Sequence, residues 1–292
     1  MIKSVLVHVT GTDCDRPVLA AGLDIARLYS GHLECLRVVP DPAALAASAA
    51  QLAMGASMVL ADTIATIERE AHEKTQRARD TFNDFVSREK IVYADAPIGR
   101  EAVSAAWREK KGDEIDRIIA EARFHDLAVL AGGREREGRL WAEGLGSIVV
   151  STGRPIVLAP EKPAGRLSTI AVAWKNTAEA AHAITAAMPL FAKAARIDVL
   201  SANEADSEAG SCVECADRVV HQLRWHGLNA HGHFVIPAGR PVPDAILETA
   251  RGLNADLLVM GGYGHSRFRE FVFGGFTQRI LKGVDLPVFL FH

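Results

Sequence analysis

Two stretches of the sequence share one pattern, VLVHVTGT at residues 5–12 and IAVAWKNT at residues 170–177. Each begins with apolar residues rich in Val or Ile, which predict a strand, and continues through a short polar turn into an alanine-rich segment that predicts a helix. Two further pairs of stretches match in the same order: DLAVL at 126–130 with DLLVM at 256–260, and PIVL at 155–158 with PVFL at 287–290. Self-similarity of this kind predicts two copies of one folding unit.

Within each copy, short apolar strands alternate with amphipathic helices. The strands are predicted at residues 4–9, 33–39, 91–94, 126–131 and 155–159, and then at 168–174, 196–201, 231–236, 256–261 and 287–291. Their apolar runs are largely continuous, which is typical of strands buried on both faces of a parallel sheet. We therefore predict an α/β protein with two tandem, doubly wound, mostly parallel five-stranded sheets. Ligands bind such sheets at the carboxyl ends of strands, where the strand order reverses.

The chain divides at PEKPAG, residues 160–165, because proline and glycine interrupt regular structure. We predict an N-terminal domain at residues 1–162 and a C-terminal domain at residues 163–292. The first pair of matching stretches is separated by more residues than the two later pairs are. The N-terminal domain therefore carries an insertion between its first strand and its later strands. Residues 43–89 contain no proline and a single glycine, and their Ala-, Leu- and Glu-rich composition predicts a long inserted helix.

The composition excludes several classes of protein. Apolar residues form 49% and charged residues 24% of the 292-residue chain, and the formal net charge is −3. These values favour a globular protein with substantial cores and give no attraction to nucleic acid. Four cysteines are too few for a secreted disulfide scaffold, and no apolar run is long enough for membrane insertion. We expect a soluble, cytoplasmic protein.

A glycine-rich stretch, MGGYGHSR at 260–267, follows the predicted fourth strand of the C-terminal domain and leads to FVFGGFTQ at 271–278. Glycine lets backbone N–H groups approach a phosphate closely and tolerates positive φ. A helix that begins near Gly275 would add unpaired N–H donors and the positive end of its dipole. The stretch therefore predicts an anion site. Its alternative interpretation is a tight turn in which a helix packs closely on a strand.

The spacing of three of these glycines, Gly261-x2-Gly264-x9-Gly274, resembles the ATP-binding loop of the universal stress protein family. The resemblance extends to both first strands, to GRP at 239–241 and to the last strand of each half. It implies a universal-stress-protein-like fold of the adenine-nucleotide α-hydrolase-like type. It also implies that a small-molecule nucleotide, ATP or a similar one, binds the C-terminal domain. The residues that would hold it are Met260, Gly261, Tyr263, Gly264, Gly274, Gly275, Phe276, Thr277 and Lys175.

Several positions depart from the family pattern. Gly275 stands where nucleotide-binding members carry Ser or Thr, although Thr277 keeps a hydroxyl at a second position that contacts the nucleotide. Lys175 stands where an Asp reads the adenine, and lysine cannot accept a hydrogen bond from the adenine amino group. In the N-terminal domain the first motif glycine falls on Ala131, and Thr10 replaces the Asp. We therefore predict that the N-terminal site is degenerate.

Two alternative functions remain open. One is an interaction module, or a binder of another small molecule, that takes no nucleotide. The other is a metal or redox sensor that uses Cys212 and Cys215, whose C-x2-C spacing lies at a predicted helix start. His231 and His233 are poor partners for these cysteines, because a helix over residues 212–226 carries the chain about 22 Å, to the opposite edge of the sheet. Further ligands of a metal site would have to come from elsewhere in the chain, so the sequence by itself does not imply a metal.

The sequence contains no motif of the nucleophile-elbow, P-loop, H-E-x-x-H or dinucleotide-binding classes. We predict no catalytic residues, and at most the weak ATP hydrolysis that the resemblance allows. The resemblance also implies that the last strands of the two halves pair, which gives an intramolecular pseudo-dimer. The helix at 43–89 is a candidate surface for a homodimer. Three tryptophans are expected to pack rather than to bind a ligand: Trp107, Trp174 and Trp225.

Overall fold

A computed structural model describes residues 1–44, 57–98, 102–132, 139–161, 165–202, 209–262, 279–280 and 285–292. The first half contains β1 (Ser4–Val9), α1 (Asp15–Arg27), β2 (His32–Val39), α2 (Ser57–Arg88), β3 (Val92–Tyr93), β4 (Ser104–Lys111), α3 (Glu114–Ala122), β5 (Leu127–Ala131), α4 (Arg139–Thr152) and β6 (Ile156–Ala159). The second half contains β7 (Thr169–Ala173), α5 (Ala178–Phe191), β8 (Arg196–Ala202), α6 (Ala209–Trp225), β9 (Ala230–Val235), α7 (Val242–Gly252), β10 (Leu257–Gly261) and β11 (Val288–Phe291).

The described strands form one sheet in the order β3-β4-β2-β1-β5-β6-β11-β10-β7-β8-β9. Apart from the short edge strand β3, the two halves have the same strand order when each is read from the outside inward. This order is β4-β2-β1-β5-β6 in the first half and β9-β8-β7-β10-β11 in the second. All the described pairings within a half are parallel, and the two halves meet where β6 and β11 pair antiparallel, with Val157 opposite Phe289. The predicted α/β class and its largely parallel sheet are confirmed, and so is the pairing of the last strands. This pairing joins the two predicted sheets into one, and the short β3 gives the first half six strands instead of the predicted five.

The two halves also begin their first strands in the same way. The Asp126 carboxylate accepts a hydrogen bond from the backbone N–H of Ser4 at 3.0 Å. The Asp256 carboxylate accepts one from the backbone N–H of Thr169 at 2.8 Å. Asp126 stands just before β5 and Asp256 just before β10, and each fixes the register of that strand against the first strand of its half. Residues of the two halves can therefore be matched by counting from Ser4 and Thr169.

The core is shared between the halves. Two apolar clusters lie on opposite faces of the sheet, and each contains side chains from both halves. Strand β6 is buried along its whole length, and Phe289 of β11 is completely inaccessible to solvent. The Tyr29 hydroxyl donates a hydrogen bond to the carbonyl oxygen of Pro189 in the other half. Within the described residues, none of the helices has both the length and the apolar character needed to cross a membrane.

The predicted third strand of the first half was misplaced. Only Val92–Tyr93 of the predicted 91–94 is a strand, and it lies at the outer edge of the sheet. The third position belongs to β4, whose eight residues run from three buried side chains into the charged segment Arg108–Lys111. A strand next to the edge tolerates charge at its solvated end, so β4 lacks the apolar run that marks the other strands. The other predicted strands agree with the structure to within one or two residues at each end.

The long helix predicted at 43–89 corresponds to α2, which spans 32 residues against 17 in its counterpart α6; residues 45–56 lie outside the described part of the chain. Ala71, Ala78 and Phe82 form the buried stripe of α2. The backbone of α2 also lies against the turn after β1. A Cβ added at Gly11 would lie 2.1 Å from the Lys74 carbonyl oxygen, and Gly11 has a φ of +82°.

We expect the Gly11→Ala substitution to destabilise the protein by more than about 2 kcal/mol, because it combines left-handed strain with a clash against the α2 backbone. Gly153→Ala is the matched control. Gly153 has a φ of +63° but no atom within 4 Å of the added Cβ, so it should cost only the strain, about 1 kcal/mol. Urea denaturation of both variants measures the difference. Equal losses would contradict the close approach of α2.

Asp24 on α1 is expected to make the free energy of unfolding depend on pH. Burial raises its pKa to about 6, with Arg27 lowering it and Glu89 raising it further. Since the folded pKa exceeds the unfolded value, the neutral form favours folding, and this advantage is lost as the pH rises from about 4 through about 6. Asp24→Asn should therefore stabilise the protein at pH 7 and have little effect at pH 4. The exposed carboxylate of Asp84 provides the control, and Asp84→Asn should give no such difference in urea denaturation at the two pH values.

Candidate functional site

The strand order reverses at one place in each half. In the first half the chain returns from the β4 side to the other side of β1, where β5 pairs with it. In the second half β10 pairs with β7 in the same way, and Met260 lies opposite Ala173. We call the carboxyl ends of β1 and β5 the first switch point and those of β7 and β10 the second. Ligands of doubly wound folds bind at such positions.

At the second switch point the chain turns directly from β7 into α5. Lys175 is exposed in this turn. The Thr177 hydroxyl caps the helix by accepting a hydrogen bond from the backbone N–H of Ala180 at 3.3 Å. A Cβ added at Gly261 would lie 2.6 Å from the backbone nitrogen of Ala180. Gly261 is thus required by close packing of α5 on the end of β10, which agrees with the alternative interpretation of this glycine.

The other predicted binding residues are only partly covered by the structure. Met260 is 5% exposed and lies in the apolar cluster on the α7 face, so its side chain belongs to the core. The backbone N–H of Gly262 donates to the carbonyl oxygen of Phe291 at 2.8 Å. Lys175, Met260 and Gly261 do come together at one edge of the sheet. Six predicted residues lie outside the described residues: Tyr263, Gly264, Gly274, Gly275, Phe276 and Thr277.

Among the described residues, two polar atoms at the second switch point are buried without a hydrogen-bond partner: Trp174 Nε1 and Ser201 Oγ. The backbone N–H of Trp174 donates to the carbonyl oxygen of Leu200 at 2.8 Å. This bond and the β7–β8 register place Trp174 beside Ser201. Both side chains lie on the same face of the sheet, in line with Val172 and Val199.

Such atoms are uncommon in folded proteins, because a buried polar group without a partner costs about 1–3 kcal/mol. Ser201 is only 2% exposed, and Trp174 is half-buried. The sequence predicts that Trp174 packs, and it contains no motif that marks Ser201. The signal that could have found them is their position, since each stands at the carboxyl end of a strand and the two strands are neighbours.

The first switch point is filled by the chain itself. The Asp15 carboxylate accepts hydrogen bonds from the backbone N–H groups of Thr10 and Gly11, at 2.7 and 2.8 Å. Asp15 is 1% exposed. Burial raises the pKa of this carboxyl group, while the two backbone hydrogen bonds and the charge of Arg37 lower it. The turn after β1 is therefore held by the Asp15 carboxylate, whereas the corresponding turn after β7 carries the exposed Lys175.

Arg37 occupies the position in the first half that Ser201 has in the second, as the registers of β1–β2 and β7–β8 show. It is 5% exposed, and its Nε donates to the Thr75 hydroxyl on α2 at 3.2 Å. A large, hydrogen-bonded side chain thus stands where the second half has a hydroxyl without a partner. Together with the contact of α2 on Gly11, this explains why the first half differs from the second at the switch point.

The remaining sequence candidates lie elsewhere. Cys212 belongs to the first turns of α6, but its side chain lies outside the described residues. Cys215 is a half-buried free thiol. Over the described ranges, no group of three or more His, Cys, Asp or Glu side chains could hold a metal ion. Trp107 packs on Phe82, with ring centroids 5.5 Å apart, whereas Trp225 is 80% exposed, so the prediction that it packs is wrong.

Comparison with known proteins agrees with this architecture. Residues 167–292 match the model of the universal stress protein family. A universal stress protein from Archaeoglobus fulgidus superposes with a TM-score of 0.66 at 15% identity, over 99% of this chain and 97% of that one. A candidate universal stress protein from Pseudomonas aeruginosa gives 0.56 at 16% identity, over 99% and 93% of the two chains. No curated protein sequence matches the chain.

At these identities the likeness to solved structures establishes the fold, whereas the family model rests on the sequence of the second half itself. That half contains the intact glycine spacing and the two buried polar atoms without partners. Residues 167–292 are therefore similar to the universal stress protein family, within a fold that the chain shares over its whole length with a solved universal stress protein.

Proposed function

We propose that the protein is a stress-response protein that binds ATP or a similar nucleotide at the second switch point. The observation that carries this proposal is the pair of buried polar atoms without partners, Trp174 Nε1 and Ser201 Oγ. A bound ligand with a hydrogen-bond acceptor would satisfy the indole N–H, and the hydroxyl can serve as donor or acceptor. A nucleobase supplies such groups on a flat ring, which suits a half-buried tryptophan.

The phosphates would bind on the other side of the site. The glycine spacing from Gly261 to Gly274 follows β10 directly, and closely approaching backbone N–H groups suit a phosphate. Lys175 is exposed in the adjacent turn and provides positive charge. The position of Lys175 also weakens the preference for adenine, because its ammonium group only donates hydrogen bonds. The proposal therefore extends to nucleotides other than ATP.

The proposal gives the two halves different roles. We take residues 1–162 and 163–292 as the two domains, a division that the mirrored strand order supports. Asp15, Arg37 and the backbone of α2 occupy the first switch point. A nucleotide there would have to displace buried, hydrogen-bonded groups of the protein. We therefore expect one nucleotide per chain.

A second candidate function is the binding of a small molecule that is not a nucleotide. One observation favours it. Gly261 is required by the packing of α5 on β10, so this glycine would be needed even without a phosphate. Under this alternative the ligand still hydrogen-bonds to Trp174 and Ser201, but it carries no phosphate group.

Identification of the ligand separates the two candidates. The purified protein would be denatured, and the released small molecules identified by mass spectrometry, for the wild type and for Gly264→Asp. Our proposal predicts one nucleotide per wild-type chain and none in the variant, because an aspartate in the loop would repel phosphate. If the wild type releases no nucleotide and shows no calorimetric binding of ATP or GTP at millimolar concentrations, the proposal is wrong and the second candidate stands.

The Ser201→Ala substitution makes a sharper prediction, because its effects on stability and on binding have opposite signs. Removal of a buried hydroxyl that lacks a partner should raise the free energy of unfolding of the ligand-free protein by about 1 kcal/mol. The same change should weaken nucleotide binding about five- to tenfold, through the loss of one hydrogen bond. Urea denaturation and calorimetry measure the two quantities.

Ser104→Ala is the matched control. Ser104 is also buried, at 7% exposure, but its hydroxyl is hydrogen-bonded to the His32 ring at 2.9 Å. Its removal should lower stability by about 1 kcal/mol and leave nucleotide binding unchanged. If Ser201→Ala also lowers stability and leaves the affinity unchanged, Ser201 plays no part in the site.

A further inference from the structure

A cavity lies at the opposite end of the strands from the second switch point. Its volume is about 410 Å³, and it opens at the amino-terminal ends of β8 and β9. Its polar lining consists of two arginines, two histidines, one aspartate and one glycine: Arg196, Arg224, His231, His233, Asp198 and Gly232. The nucleotide proposal uses none of these residues.

The only carboxylate among these lining groups is already paired. Asp198 is 1% exposed, and its two oxygens contact Arg196 Nε and His233 Nε2, each at 2.7 Å. The side chains of Arg196 and His233 remain about one-third exposed, at 39% and 32%. Asp198 therefore orients two cationic or potentially cationic groups and presents almost no surface of its own to the cavity.

Arg224 adds a second positive charge from the other side of β9. It reaches from α6 over the edge strand, where its Nε and Nη2 both donate to the carbonyl oxygen of Ala230, at 3.0 and 2.8 Å. This acceptor is neutral, so the bonds fix the guanidinium group without cancelling its charge. Among the lining side chains, the two arginines exceed Asp198 by one positive charge before either histidine is protonated. The Asp217 carboxylate stands just outside this lining, 3.5 Å from the position that a Cβ on Gly232 would take.

The edge of the sheet contributes a backbone donor. Ile197 N–H donates to the Asn229 carbonyl oxygen at 2.9 Å, and Asp198 lies opposite His231. In a parallel pair, alternate residues of a strand bond to the neighbouring strand. The backbone of His231 therefore faces β8, and that of Gly232 faces outward. The Gly232 N–H points away from the sheet at the rim of the cavity, and no Cβ restricts access to it.

The first half closes the corresponding edge with its own chain. Strand β3 pairs with the outer side of β4, and beyond it the Ala94 N–H donates to the Ala105 carbonyl oxygen at 3.0 Å. In the part of the chain that the structure describes, no strand pairs with the outer side of β9. The edge that is covered in one half is thus open and basic in the other.

We propose that this cavity is a binding site for an oxyanion of the phosphate class. Arg196 and Arg224 would supply charge-assisted hydrogen bonds, because a planar guanidinium group can donate two parallel N–H bonds to the oxygens of one anion. The Gly232 N–H would add a neutral donor. The Nε2 atoms of His231 and His233 are engaged by Asn229 and Asp198, so these two rings would donate through Nδ1 in their protonated form. The site is independent of the proposed nucleotide site, because the two lie at opposite ends of the strands.

The test uses the full chain and inorganic phosphate. Side-chain NMR signals of His231 and His233 would be followed during a phosphate titration at constant pH, with chloride of equal ionic strength as the reference. We expect saturable shifts with phosphate in the millimolar range or below. Arg224→Gln should weaken the binding at least about tenfold, since it removes one charge-assisted contact. The glutamine amide can still donate to the Ala230 carbonyl oxygen, so the edge keeps a hydrogen bond.

Arg218→Gln is the matched control, because it removes the same charge from an exposed position on α6 outside this cavity. It should bind phosphate as the wild type does. Gly264→Asp separates this site from the glycine-rich loop, since it should abolish binding at the loop and leave the histidine shifts intact. The proposal is wrong if chloride reproduces the shifts, or if Arg224→Gln and Arg218→Gln bind phosphate equally well.

Discussion

The antiparallel pairing of β6 and β11 is the constraint on which the rest of the structure depends. Each parallel half-sheet would otherwise end in a strand whose N–H and C=O groups lack partners on one side, and both strands are almost entirely apolar. Joining them removes both edges and buries both strands in a core that spans the halves. The antiparallel pairing also reverses the strand direction between the halves. The carboxyl ends of the strands therefore point in opposite directions in the two halves, and so do the two switch points.

The two switch points then differ in how their polar groups are satisfied. In the first half, Asp15 accepts the backbone N–H groups of the turn, Arg37 is held by α2, and the α2 backbone covers Gly11. In the second half the corresponding turn is exposed, and two buried polar atoms, at Trp174 and Ser201, have no partner in the part of the chain that the structure describes. A fold can tolerate that cost of burial at a functional site more readily than in an ordinary core.

Much of the fold could be predicted from the sequence, because most of its strands are buried on both faces and read as apolar runs. Strand β4 could not, since its charged end is stable only beside the edge of the sheet. The glycine spacing pointed to the second switch point, but the sequence cannot separate a glycine needed by a phosphate from one needed by a helix, and Gly261 meets the α5 backbone. The pairing of Trp174 with Ser201 depends on which strands are neighbours, which the residues alone do not reveal.

The covalent link between the halves has a consequence for how the molecule can diversify. In a homodimer of identical subunits every substitution appears twice, so a residue that closes one site closes both. Here the two half-sheets meet within a single chain, and each position can change alone. Strand β3 covers β4, whereas no described strand covers the outer edge of β9. Arg37 likewise stands in one half where the smaller Ser201 stands in the other. Loss of symmetry lets one half fill its switch point with its own side chains while the other half leaves the corresponding turn exposed.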